Sequence, residues 1–192
     1  MARIRLANPD DLPEADRDLL ETLSARDLPD EYDHLLSDPV RDVYRLFGRS
    51  PSVLRAFRTL GRTAWADCGV DARGRELVIL TVARERDSAY QWHQHVRVGL
   101  SEGLTPEELR ALSARDLDGF DADERTLMAY VQAVVRDEAD AELVAEFVDA
   151  YDEPTLVGVG TLVGVYVTID LLESAVVLAT EEPFVGWDLE HL

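Results

Sequence analysis

The chain has 192 residues, 46% of them hydrophobic, which is enough for one well-buried domain and argues against wholesale disorder. Its 39 acidic residues face 19 basic ones, for a net charge of −20, and every basic residue is Arg. That field argues against nucleic acid, whose binding rests on cationic contacts to phosphate, and against anionic membrane surfaces.

The excess of acids and the lack of Lys point to a halophilic protein, adapted to salt that screens self-repulsion. Loss of fold or assembly at low salt is expected; a melting temperature unchanged from about 3 M KCl to dilute buffer would overturn this. Cys68 is the single cysteine, so an intrachain disulfide, a CxxC redox pair and a cysteine zinc site are all excluded. It is expected to be a small core or interface residue.

Residues 1–38 are polar, acidic and punctuated by Pro9, Pro13 and Pro29. They predict an N-terminal arm with one short helix near Asp16–Ala25. No apolar signal core is present there, so export is not expected and a cytoplasmic location is. From Pro39 the pattern turns helical, with Val40, Val43, Tyr44, Leu46 and Phe47 on one stripe. Ser50-Pro51 opens the next helix, whose apolar positions are Val53, Leu54, Phe57, Leu60, Ala64 and Trp65.

Asp71 caps the helix that holds Glu76, and Leu77, Ile79, Leu80, Val82 and Ala83 predict burial on most sides. Arg84–Asp87 breaks it, and Ser88 can cap the helix that follows. Gly103 fits a helix C-terminus, and Thr105-Pro106-Glu107-Glu108 reads as a capping box. Asp121 and Asp140 open two further helices. A last one runs from Pro154 to Ala179. Its uncharged run, Leu156–Ile169, falls short of the roughly 18 residues of a membrane span, and Asp170 and Glu173 interrupt it. A buried or subunit-facing helix is expected, with Gly160 and Gly164 able to admit another helix closely. The expected organisation is an arm over 1–38, an all-α helical bundle over 39–182 and a tail over 183–192.

The stretch from Glu76 to His95, ELVILTVARERDSAYQWHQH, holds the candidate chemistry. Ser88, Gln91 and His95 stand at i, i+3 and i+7, on one face if all are on one helix. Glu76 can approach that face from the helix before. His93 lies two residues from His95, about 200° round a helix, so the two do not easily chelate one metal. No metal site is expected. His34 and His191 read as surface residues.

The segment from Val43 to Leu112, and above all RGRELVILTVARERDSAYQWHQHVRVGLSEGLTPEEL from Arg73 to Leu109, resembles the carboxymuconolactone decarboxylase and alkylhydroperoxidase D superfamily. In its peroxidase branch a Glu is followed by CxxC and then by a His, four residues after the second Cys. Those positions here read Glu76, Ser88, Gln91 and His95. Glu and His keep the family's spacing, and both cysteines are replaced. Tyr90-Gln91-Trp92 is similar to the Tyr-Glu-Trp of cysteine-less members, with an amide where decarboxylase members place a Glu. The resemblance implies an all-α fold and a homo-oligomer (dimer, trimer or hexamer) with its site often near a subunit interface.

Hydroperoxide reduction needs a thiolate and a resolving thiol, so a serine at the first position excludes that route. What remains is acid–base work of a lyase or isomerase kind, without a cofactor, on a small carboxylate or lactone. His95 would carry the proton, Glu76 would orient it, and Gln91 would bind a substrate carbonyl or carboxylate. Tyr90 and Ser88 would add polar contacts to substrate, and Arg73, Arg75, Arg84 or Arg97 would hold a carboxylate. Each has a structural alternative: Glu76 as a buried ion partner, Gln91 as an internal hydrogen bond, Ser88 as a helix cap, Tyr90 and Trp92 as wall or core. The alternative for the whole chain is a non-catalytic oligomer that binds a small molecule.

Overall fold

The computed structural model describes residues 2–20, 41–180 and 185–192, and among these it contains helices and no strand. Two short 3-10 turns, Pro9–Asp11 and Glu14–Leu20, precede eight α-helices. These are α1 (Asp42–Phe47), α2 (Pro51–Ala66), α3 (Ala72–Glu85), α4 (Ala89–Ser101), α5 (Pro106–Ala114), α6 (Ala122–Arg136), α7 (Ala141–Ala150) and α8 (Glu153–Val176). The helix expected near Asp16–Ala25 is the second 3-10 turn as far as Leu20. Its remainder, with Val40 of the α1 stripe and His34, lies outside the described residues.

Most helix starts follow the residues that predict them. Asp71 Oδ1 accepts from Gly74 N–H at 2.7 Å, and Asp140 and Asp152 do the same three residues on. Thr105–Glu108 and Asp121–Glu124 form complete capping boxes. Ser50 is an exception: its side chain makes no cap hydrogen bond, and Pro51 alone sets the start of α2.

The fold is organised around α3, which packs on α4, α6 and α8. Leu77, Val78, Ile79, Leu80 and Val82 are each 0% exposed, so the helix is apolar all round because it is covered all round. Each such side chain contributes roughly 1.5–3 kcal/mol by leaving water. Val78, Ile79 and Val82 face one core with α1, α2, α6 and α8. Leu77, Leu80 and Ala83 face a second core with Trp92, Val96, Leu100, Leu109 and Met128. Ala7, Leu12 and Leu20 enter the first core, and Val185 and Leu189 enter the second, so both terminal segments pack on the helical body.

Two expectations change. On α2, Val53 and Leu60 are about half exposed, while Arg58 is buried with its guanidinium 4.1 Å over the Tyr44 ring. The aromatic face offsets the cost of that burial in part, while Leu54 and Ala64 of the predicted stripe stay in the core. The last helix ends at Val176, three residues before the expected Ala179, because Val177 adopts a left-handed conformation at φ 56°. Of its glycines, Gly158 is the one under steric demand: a Cβ there would lie 2.5 Å from the Cys68 carbonyl. Cys68 itself is buried in the first core, as expected. Among the described residues, a Cβ on Gly164 would meet nothing within 4 Å beyond its own helix backbone. By length and apolarity α8 is also the one described helix that could cross a membrane. Its Asp170 and Glu173 are buried against the rest of the fold.

Candidate functional site

His95 Nδ1 lies 2.7 Å from Glu76 Oε2, the contact that joins α4 to α3. The Glu76 side chain is fully buried, and the imidazole keeps 15% of its surface. A carboxylate only accepts hydrogen bonds, so Nδ1 carries the proton of this contact. Arg75 Nε stands 3.4 Å from Glu76 Oε1, and its Nη2 is 3.5 Å from Glu102 Oε1. The same guanidinium stacks 3.5 Å over the Trp65 ring. The buried Glu76 therefore has two cationic or cation-capable partners, which is what a carboxylate at zero exposure needs. Tyr166 of α8 meets the imidazole edge-on, with ring centroids 5.0 Å apart.

Ser88 and Gln91 do not join this pair. Ser88 is the N-cap of α4: its Oγ accepts from Gln91 N–H at 3.2 Å and donates to Glu173 Oε1 of α8. Being the cap, it lies off the helix, so Gln91 and His95 share the α4 spacing without it. Gln91 is 2% exposed, and its Nε2 donates to the Tyr166 carbonyl at 2.9 Å. Tyr90 is 4% exposed, with its hydroxyl accepting from Val43 N–H at 3.2 Å. Trp92 is fully buried and donates from Nε1 to the Gly186 carbonyl. The expected site therefore divides: Glu76 and His95 converge, while Ser88, Gln91 and Tyr90 hold the scaffold together.

His93 is buried away from His95 and accepts from Val185 N–H at 3.0 Å on Nδ1. Burial, with Arg97 and Arg41 nearby, pulls its pKa down to about 4. Among the described residues no group of three or more His, Cys, Asp or Glu is placed to hold a metal ion. Of the arginines considered as carboxylate anchors, Arg73 is committed to Glu108 and Glu124 at 2.6 and 2.7 Å. Arg84 is bonded to the Ser113 carbonyl and to Asp87, and Arg97 to Gln94. Arg75 is the one beside the Glu76–His95 pair.

Sequence reasoning missed the Tyr166 ring as the wall of His95. The two acids that interrupt the apolar run differ in partner: Asp170 pairs with Arg86 Nε at 2.8 Å, and Glu173 bonds to Ser88. Burial first, then the Asp170 charge, pushes the Glu173 carboxyl up to about 7 against the opposing hydrogen bond from Ser88 and the nearby Gln91 amide. The signal was there: two acids interrupting an apolar helix.

α3 and α4 thus meet through a Glu–His pair inside an all-α helical body. Residues 51–133 match the carboxymuconolactone decarboxylase family. No curated protein matches it in sequence. Among solved structures it is similar to a protein of unknown function from Agrobacterium tumefaciens, described provisionally as the antioxidant defence protein AhpD. That likeness has 18% identity and a TM-score of 0.66, over 70% of this chain and 94% of that one. It is also similar to the debrominase Bmp8. The apo form gives 14% identity and a TM-score of 0.68, over 84% of this chain and 93% of that one. A cysteine-to-alanine variant of Bmp8, solved in complex with 2,3,4-tribromopyrrole, gives 14% and 0.67, over 85% and 94%. At these identities the likeness is one of fold.

Proposed function

We propose that the protein is an acid–base enzyme of the lyase or isomerase kind, acting on a small carboxylate or lactone without thiol redox chemistry. The observation that carries this reading is the 2.7 Å contact between His95 Nδ1 and a fully buried Glu76 beneath a partly open imidazole. Glu76 fixes the tautomer and stabilises the imidazolium, and Nε2 takes a proton from carbon next to a carbonyl and returns it elsewhere. Arg75 supplies positive charge beside the pair and balances Glu76. A debrominase of the same fold is solved in complex with 2,3,4-tribromopyrrole, which supports a pocket for small unsaturated rings and says nothing of the chemistry here.

The test is turnover of a panel of unsaturated lactones and carboxylates, followed by absorbance and by release of CO2. His95→Ala is expected to lower kcat/KM on any accepted substrate by about 10²–10⁴-fold while the fold survives. A variant that turns over normally sinks the reading. Binding with no product in the parent protein supports the alternative, a non-catalytic small-molecule binder. A homo-oligomer is part of the proposal. Exposed Val157, Leu171 and Leu172 on α8, with Val53 and Leu60 on α2, are apolar surface in a chain with a charge of −20. Sedimentation that finds only monomer would remove that part alone.

A further inference from the structure

The seam between α4 and α8 contains two buried oxygens that face no donor. Gln91 Oε1 and Glu173 Oε2 are both inaccessible, and neither has a hydrogen-bond partner. Their companions are fixed. Gln91 Nε2 is held by the Tyr166 carbonyl, which sets the orientation of the amide, and Glu173 Oε1 is held by Ser88 Oγ. The Gln91 side chain also stands within hydrogen-bonding reach of the Glu173 carboxyl. A buried orphan acceptor is costly, and the amide beside the carboxyl has its nitrogen turned to Tyr166. One proton on Glu173 Oε2 resolves both orphans: the carboxylic acid donates to Gln91 Oε1.

We propose that Glu173 is a neutral carboxylic acid that donates to Gln91 Oε1, and that through Gln91 and Tyr166 it is a positioning residue for His95. The connection is a sequence of contacts. Ser88 and Gln91 of α4 meet Glu173, Gln91 meets the Tyr166 carbonyl, and the Tyr166 ring abuts the imidazole. When Glu173 loses its proton, the anion attracts the Gln91 amide N–H instead. The amide then turns, the bond to Tyr166 is lost, and the ring against His95 is no longer fixed.

The groups acting on Glu173 are Ser88 and Gln91 from α4 and Asp170 one turn back on α8, whose own charge is met by Arg86 from the turn before α4. The carboxyl is raised from an ordinary 4.5 to about 7. Between those values the folded protein binds the proton and the unfolded chain does not, so this group's contribution to stability falls as pH rises. The inference stands whether or not His95 turns over a substrate, because none of its readouts is activity.

Glu173→Gln keeps the shape, accepts from Ser88 and presents a permanent donor to Gln91. In the parent protein, infrared spectra are expected to contain a protonated-carboxyl stretch below about pH 7 that is missing in the variant. The His95 imidazole signals in NMR are expected to carry a second inflection near the Glu173 midpoint, and E173Q to lose it. The fall in stability between about 4.5 and about 7 is expected to flatten in E173Q relative to the parent. A parent spectrum without the band, or a variant with the same His95 profile, overturns the proposal. Should E173Q not fold, Gln91→Met removes the acceptor, and the band must then shift in frequency. A band at its parent position overturns the proposal equally.

Discussion

The two polar sides of α4 are built differently. Toward α3, His95 meets a fully buried Glu76 and keeps one ring nitrogen uncommitted to that pair. Toward α8, Ser88 and Gln91 spend their donors on Glu173 and on the Tyr166 carbonyl. The first arrangement joins a buried carboxylate to a partly open imidazole. The second ties helices together through side chains that are buried. Four positions of one motif thus split into a pair that meets beside an open ring and a pair with cohesion. A motif's spacing locates residues, and only the partners of each side chain decide what it does.

The comparison is broken most severely at Glu76. Glu76→Ala strands the Arg75 guanidinium, 7% exposed, beside an empty space and leaves His95 without its acceptor. Removing one partner of a buried ion pair costs about 3 kcal/mol, with Glu102 retaining part of the interaction with Arg75. Urea unfolding is expected to register that loss, and a change below about 1 kcal/mol would mean that the pair is not structurally important. The next largest effect belongs to the α8 side. Arg86→Ala removes the guanidinium from Asp170, which is 2% exposed. A hydrogen bond to a charged group is worth about 2 kcal/mol, and because Arg86 is partly open to water the loss should fall below that of Glu76→Ala. A larger loss at Arg86 would reverse the ranking of the two regions.

Much of this was legible in the chain. Capping signals placed α3 and α4 to within a residue, since an N-cap states its own position through a local hydrogen bond. The meeting of Glu76 with His95 was legible too, through the family's spacing. Three things were not. Val53 and Leu60 have the period of a buried stripe, but their burial depends on which face of α2 the body covers, a tertiary fact. Gln91 offers the same amide to a substrate or to a carbonyl 75 residues away, and the sequence holds no preference between them. Tyr166 lies in an apolar run where nothing singles out one aromatic ring as the neighbour of His95.

The smallest expected effect is the most discriminating. Gln91→Met preserves length and removes the amide. The Tyr166 carbonyl loses one partner but sits within the backbone ladder of α8, so it is not stranded. The buried Gln91 Oε1, the acceptor assigned to the Glu173 acid, disappears at the same time. The two neutral hydrogen bonds lost are worth about 0.5–1 kcal/mol each, below the charged contacts at Glu76 and Arg86. The Glu76–His95 contact is kept and only the hold on the Tyr166 ring is loosened, so turnover of any substrate found for the parent protein should fall a few-fold at most. If turnover instead collapsed as in His95→Ala, Gln91 would be touching substrate. The division of α4 into a chemical side and a cohesive side would then be wrong at its centre.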